Sequence, residues 1–299
     1  MAPTLGGGPQ SRTVLLAVRI AWFALPLTAG PAIAHGLQDT STPVQVVASV
    51  LAWLAWGAVV VAVLVPRTVS LTALRVGAPA ALAASLWATI SAGDVGLAEV
   101  VAIAWTALLA AVVLFVPVVT DEFVDGSSYG PERRMSLRTP TPLFLGPVEL
   151  AWLLVVGGVT AGPLLLAARQ WIVGVIAVAA GVVLVAPALR SLHQLSRRWV
   201  VFVRVGFVLH DPLSLADPVL FVKQDVRSLA PAPADAERFA TDLTGRALGL
   251  ALELRLRTKV TLGLIERRNQ SRDVVTDRVL FTPARPGAFL NEARERGID

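Results

Sequence analysis

The chain has 299 residues, of which 55% are hydrophobic and 16% are charged, and its net charge is +5. Soluble domains rarely combine so many apolar residues with so few charges, so the composition argues against a wholly soluble protein. The absence of cysteine excludes disulfides, thiolate metal sites and cysteine nucleophiles. Charge is concentrated late in the chain, because residues 190–299 contain 18 of the 26 Lys and Arg residues.

Six apolar stretches have roughly the 20 residues that a helix needs to cross a bilayer. They lie at 14–34, 43–65, 71–90, 97–120, 147–167 and 171–189. The sequence therefore predicts an N-terminal tail (1–13), an α-helical transmembrane bundle of about six spans (14–189) and a C-terminal domain (190–299). Gly158 and Gly162 in the fifth stretch, with Ala177 and Gly181 in the sixth, predict a tightly packed antiparallel hairpin.

The first stretch has two interpretations. Ala32, Ile33 and Ala34 form a small-x-small pattern that suits signal-peptide cleavage. The apolar stretch is long for a signal peptide and Arg19 interrupts it, which favours a retained helix. Cleavage would leave five spans and would not change the side on which the C-terminus lies.

The arginines predict the orientation in the membrane, because short loops rich in Lys and Arg stay in the cytoplasm. With six spans, a single loop arginine, Arg169, lies on one side, and the other loop and terminal arginines share the opposite side. Arg19 and Arg75 lie inside spans near that same side, where a long side chain can reach the interface. We therefore expect a multi-pass protein of an inner or plasma membrane, with both termini cytoplasmic.

The C-terminal domain has the pattern of a β structure. Every even position from Leu248 to Leu256 is leucine, and Val260, Leu262 and Leu264 continue the alternation, which predicts two half-buried strands with a turn near 257–259. Short runs rich in Val and Phe between 199 and 229, and at 278–282, predict further strands. Residues 286–296 predict a terminal helix, with Pro286 in its first turn and Gly297 as its C-terminal cap.

Two segments resemble the pleckstrin-homology-like domain, in particular bacterial versions attached to membrane spans. One is the strand-rich run 198–211, and the other is 278–290, in which a strand is followed by Thr282-Pro283 and then a helix. The resemblance covers roughly 198–299 and implies a small barrel closed by the C-terminal helix. The whole chain also resembles multi-pass actinobacterial membrane proteins, a resemblance that implies no activity.

Four polar residues near the outer ends of the spans form one candidate site: His35, Asp39, Asp94 and Glu99. An imidazole with carboxylates suits a proton or divalent-metal site, whereas the simpler interpretation is that they are ordinary loop residues. Haem is not expected, because no histidine lies in the middle of a span where it could be an axial ligand. Gly6–Gly8 lack the flanking strand and helix of a phosphate loop. We therefore expect no catalytic residues, no cofactor, no metal and no nucleic-acid partner.

Two basic segments form a second candidate. Arg190, Arg197, Arg198 and Arg204 follow the last span and predict contact with anionic lipid headgroups; the alternative is that they only set the orientation. The longest loop, 121–142, contains Tyr129 and the paired Arg133 and Arg134. It is predicted either to touch the tail or headgroups, or to be a charged connector.

The function expected from these features is that of a non-enzymatic membrane scaffold or regulator. Its spans would contact the lipid bilayer, and its cytoplasmic β domain would bind anionic lipid headgroups or a protein partner. The alternative is a small-molecule or ion transporter with a regulatory tail. An enzyme of lipid chemistry is a third choice, for which the sequence offers no suitable polar set near the interface.

Overall fold

The computed structural model describes residues 9–267 and 270–298, which divide into two compact units. The first, here called the membrane unit, comprises 9–123 and 149–193. The second, the β unit, comprises 124–148 and 194–298.

The membrane unit is built from helices. In chain order they are α1 (Pro9–Phe23), α2 (Leu25–Thr28), α3 (Gly30–Leu37), α4 (Thr42–Leu64), α5 (Thr68–Ala92), α6 (Leu97–Phe115), α7 (Pro117–Asp125), α8 (Pro147–Ala167) and α9 (Trp171–Ser196). Within the described residues, five of these are long and apolar enough to cross a membrane, namely α4, α5, α6, α8 and α9. The prediction of a membrane protein with several apolar helices is confirmed.

The predicted first span, 14–34, is not one helix, because the helix is interrupted at Ala24 and again at Ala29. Pro26 and Pro31 follow these breaks at the starts of α2 and α3, and neither has an N–H to donate to the preceding turn. The Trp22 carbonyl, whose helical donor would be residue 26, instead accepts a hydrogen bond from Trp56 Nε1 at 3.1 Å. Six crossings therefore stay a prediction.

Two arginines predicted to reach the interface have partners inside the membrane unit. Arg19 Nε donates to the Val63 carbonyl at 2.8 Å, in the last turn of α4, where helix carbonyls lack intrahelical donors. Arg75 Nη2 donates to Thr120 Oγ1 at 2.9 Å. The predicted 97–120 span ends earlier, at Phe115, because Val116 is extended and Pro117 begins α7.

The predicted α8–α9 hairpin packs through glycine. A Cβ added at Gly181 would overlap the backbone oxygen of Gly158, so the two backbones are in direct contact. Gly162 similarly faces Val178, whose backbone nitrogen would lie 3.0 Å from an added Cβ. Small residues at this spacing allow such close approach.

The β unit contains two four-stranded sheets and a terminal helix. The first has the order β1 (Arg133–Ser136), β2 (Trp199–Val203), β3 (Gly206–His210) and β4 (Val219–Val222), and all its pairs are antiparallel. The second has the order β5 (Val226–Pro231), β7 (Leu252–Arg267), β8 (Gln270–Phe281) and β6 (Thr241–Asp242). Helix α10 (Pro286–Glu295) follows, as predicted.

Strand β1 comes from the long loop between α7 and α8, and it pairs with β2 through registers such as Arg134 with Val201. The loop is therefore part of the β unit, which combines 124–148 with 194–298.

Five phenylalanines form the centre of the β unit: Phe202, Phe207, Phe221, Phe281 and Phe289. Phe289 extends from α10 and lies 4.8 Å from the Phe202 ring and 5.4 Å from the Phe281 ring. The helix thus closes the core between the sheets, because its apolar stripe replaces solvent over the aromatic rings.

The turn predicted near 257–259 is wrong, since β7 runs without interruption from Leu252 to Arg267. The pairing with β8 skips from Arg255 to Val260, so these residues form a β-bulge. The Arg257 N–H leaves the ladder and donates to the Asp225 carbonyl at 2.8 Å. Leu252, Leu254 and Leu256 are buried, as their alternation predicts.

Candidate functional site

The structure separates the four arginines predicted to contact headgroups. Arg190 on α9, Arg197 just before β2 and Arg204 in the β2–β3 turn are exposed. None of these three forms a salt bridge within the described residues. Arg198, in contrast, is only 2% exposed.

Arg198 forms a buried ion pair with Asp211. Its Nε lies 2.7 Å from Oδ1 and its Nη2 lies 2.6 Å from Oδ2. Its Nη1 donates to the carbonyl of Arg138, so the side chain joins the segment after β1 to the edges of β2 and β3. The Arg198 guanidinium is therefore buried and bonded within the β unit, and it does not face a headgroup.

The outer face of the first sheet combines apolar and basic side chains. Alternation along β2 turns Val200 and Phe202 into the core and leaves Trp199 and Val201 on the opposite face. The register places a row of four residues across all four strands: Arg134, Val201, Val208 and Leu220. Leu220, at one edge, is 45% exposed.

The Trp199 ring contacts two side chains from neighbouring strands, His210 and Arg134. The ring stacks on His210 with centroids 4.6 Å apart and an interplanar angle of 9°. The Arg134 guanidinium lies 5.9 Å from the Trp199 ring centroid, within the range of a cation–π contact. We define the aromatic–basic face as Arg134, Trp199, Val201, Val208, His210 and Leu220, with Arg197 and Arg204 at its margins.

Charge on this face is mostly positive. Glu132 is the acidic partner of Arg134, at 3.4 Å, while the exposed Arg197 and Arg204 form no salt bridge within the described residues. Indole and guanidinium groups beside half-buried and exposed aliphatic residues match a membrane–water interface, which attracts amphipathic rings and cations. Local sequence patterns do not show the partners of Trp199, because Arg134 lies 65 residues before it and His210 lies 11 residues after it.

In the membrane unit, three of the four predicted polar residues come together. His35 Nδ1 donates to Glu99 Oε1 at 2.9 Å, and its Nε2 lies 3.8 Å from Asp94 Oδ1. Glu99, which is 2% exposed, also accepts the Gly96 N–H at 3.0 Å. Asp39 contributes its charge but no hydrogen bond.

The hydrogen bond to Glu99, helped by the charges of Asp94 and Asp39, raises the pKa of His35 from its ordinary value of 6.5. His35 lies in the last turn of α3 and Glu99 in the first turn of α6, so each charge is favourable at its helix end. Within the described residues, no group of three or more His, Cys, Asp or Glu could hold a metal ion. The arrangement is that of an ion pair that joins two helices.

No known protein family, curated protein or solved structure matches this chain.

Proposed function

We propose that the protein is a non-enzymatic membrane scaffold or regulator, whose β unit rests its aromatic–basic face on anionic lipid headgroups. The observation that carries this proposal is the face itself, a row of apolar residues between arginines. Two residues separate the end of α9 at Ser196 from Trp199, so the face begins close to the end of a membrane helix.

The expected strength of this contact is modest. Each basic residue near an anionic leaflet contributes about 1 kcal/mol, and the effect decays within a Debye length of about 8 Å at physiological salt. Arg134, Arg197 and Arg204 would therefore orient the β unit without binding it tightly. A covalently tethered domain needs no more, because the tether keeps its effective concentration at the surface high.

The β unit would face the cytoplasm, where anionic lipids and the arginine-rich loops of multi-pass proteins lie. Two sheets closed by a C-terminal helix support the resemblance to bacterial pleckstrin-homology-like domains. In this view the scaffold presents its remaining surfaces to a protein partner.

Hydrogen exchange of the full-length protein in nanodiscs tests the proposal. We expect residues 199–210 to be better protected in nanodiscs with anionic lipid than in neutral ones, and the difference to shrink at high salt. The double substitution Arg197→Gln and Arg204→Gln should remove it, while Arg294→Gln, an exposed arginine of α10, should not. Equal protection in both nanodiscs, with or without the arginines, would refute the lipid contact.

One observation favours the alternative, a small-molecule or ion transporter. The interruptions at Ala24 and Ala29 resemble the broken helices that line transporter sites. However, the carbonyl freed by Pro26 is bonded to Trp56, which leaves it unavailable to a solute. Solute-induced currents in proteoliposomes that are absent from protein-free liposomes would favour transport over the scaffold.

A further inference from the structure

The outer side of the second sheet contains a cleft of about 440 Å³, lined by Arg227, Ser228, Arg255, Leu256, Asp277 and Arg278. Its position follows from the pairing of three strands. Ser228 on β5 lies opposite Arg255 on β7, which in turn lies opposite Arg278 on β8. The cleft is therefore a cross-strand row, on a different sheet from the aromatic–basic face.

Two irregularities in neighbouring strands shape this cleft. The pairing of β5 with β7 skips Arg227, and the pairing of β7 with β8 skips 256–259. Bulges bend a strand and redirect side chains, and they occur often beside functional sites. Here they place a third arginine, Arg227, next to the row formed by Arg255 and Arg278.

Glu253 fixes the orientation of the arginines. It is 4% exposed and accepts bonds from Arg255 Nε at 3.0 Å and Nη2 at 2.8 Å. Arg278 Nη1 lies 3.9 Å from the other Glu253 oxygen. A guanidinium has five N–H donors, so Arg255 retains three for a ligand.

The cleft has an excess of positive charge. Three guanidinium groups face two carboxylates, Glu253 and Asp277, and Arg227 forms no salt bridge within the described residues. Leu256 is the single apolar residue of the lining, so the cleft suits a small polar ligand rather than an acyl chain. Planar guanidinium groups match the oxygens of a phosphate, and the Ser228 hydroxyl adds a further donor.

We propose that this cleft binds a phosphate monoester or inorganic phosphate, through Arg227, Arg255 and Arg278. The ligand is either a soluble phosphorylated molecule or the phosphomonoester headgroup of a lipid. The proposal does not depend on the aromatic–basic face, because the two sites share no residue. Binding at the cleft can therefore fail or succeed independently of the headgroup contact.

The test uses the full-length protein in neutral nanodiscs, with inorganic phosphate and glycerol 3-phosphate titrated by calorimetry. A second arm replaces part of the neutral lipid with phosphatidic acid and follows a fluorophore on a cysteine introduced at the exposed Lys259, close to the cleft. Saturable binding of the soluble phosphates identifies a soluble ligand, and a response to phosphatidic acid alone identifies a lipid. Either result supports phosphate recognition.

Substitutions locate the site. Arg227→Gln and Arg255→Gln should each weaken binding by about tenfold, since each removes a charge-assisted contact. Arg257→Gln changes an exposed arginine of the same bulge that does not line the cleft, and it should leave affinity unchanged. Asp277→Asn should strengthen binding, a gain that misfolding cannot imitate. The absence of binding in both arms, or binding that Arg227→Gln and Arg255→Gln leave unchanged, would overturn the proposal.

Discussion

The membrane unit and the β unit satisfy their buried polar groups by different chemistry. In the membrane unit, indole N–H groups donate to backbone carbonyls, from Trp56 to Trp22, from Trp105 to Ala21 and from Trp152 to Val76, and the His35–Glu99 ion pair lies at two helix ends. In the β unit, charged side chains meet each other, as Arg198 meets Asp211. The difference is expected, because a single carbonyl acceptor satisfies a buried indole N–H, whereas a buried charge requires a partner of opposite sign.

The largest expected effect comes from breaking the buried ion pair of the β unit. Arg198→Met leaves the Asp211 carboxylate buried without its cation, and it should destabilise the β unit by about 3–5 kcal/mol. Because the chain has no cysteine, the opening of the unit can be followed as thiol labelling of Ala293→Cys, a buried position on α10.

Two controls use the same thiol-labelling variant, Ala293→Cys. Adding Asp211→Asn to Arg198→Met removes the stranded charge and should restore part of the stability. Arg272→Met breaks the exposed pair with Glu266, 3.2 Å apart, and should cost at most about 1 kcal/mol. A loss from Arg198→Met as small as that from Arg272→Met would contradict a structural role for the buried pair.

A smaller effect is expected where the helices of the membrane unit touch through glycine. Gly181→Ala places a Cβ against the Gly158 backbone and should destabilise the hairpin by about 1–3 kcal/mol. Gly157→Ala, in the same hairpin, meets nothing within 4 Å and should be tolerated. Thermal unfolding in detergent measures both, and equal melting temperatures would contradict the backbone contact.

The neutral hydrogen bonds of the membrane unit are expected to contribute less. Trp56→Phe keeps an aromatic ring but removes the donor to the carbonyl that Pro26 leaves unpaired, at a cost of about 1 kcal/mol. Trp53→Phe is the matched control, because Trp53 is exposed and has no hydrogen bond within the described residues. We expect a lower melting temperature for Trp56→Phe only; equal losses would show that ring packing decides stability.

The smallest expected effect is the pH response of His35. Its pKa in the folded protein is raised above 6.5, so its contribution to stability is fully present below that pH and is lost as pH rises through the folded pKa. The melting temperature should therefore fall over this range, and His35→Asn should flatten the profile. A flat wild-type profile, or a profile that His35→Asn leaves unchanged, would refute the coupling.

Local patterns predicted much of the fold. Hydropathy alone located α4, α5, α6, α8 and α9, because crossing a bilayer requires each helix to be apolar by itself. The terminal helix was visible in Pro286 and Gly297. The breaks in the first span could have been read from Pro26, Gly30 and Pro31, which interrupt its apolar run.

Contact between the loop 121–142 and the tail is one of the interpretations that the sequence allows, but the partners and register of distant pairings cannot be read from local patterns. Strand β1 pairs with β2 across more than 60 residues that include two membrane helices, and no local pattern signals such a pairing. The same holds for the partner of Arg198. The alternation lapses at 257–259, which suggests a turn where the structure has a bulge, although Arg257, Thr258 and Lys259 are not typical turn residues.

The most direct test of the lipid contact measures how deeply the aromatic–basic face lies in the interface. A spin label on Leu220→Cys reports from the face, and one on Asn291→Cys reports from the exposed side of α10. In full-length protein in anionic nanodiscs, the label at 220 should be more accessible to oxygen and less accessible to a water-soluble nickel complex than the label at 291. High salt or neutral lipid should reduce this difference. A label at 220 that stays as water-accessible as the label at 291 under all conditions would contradict the account.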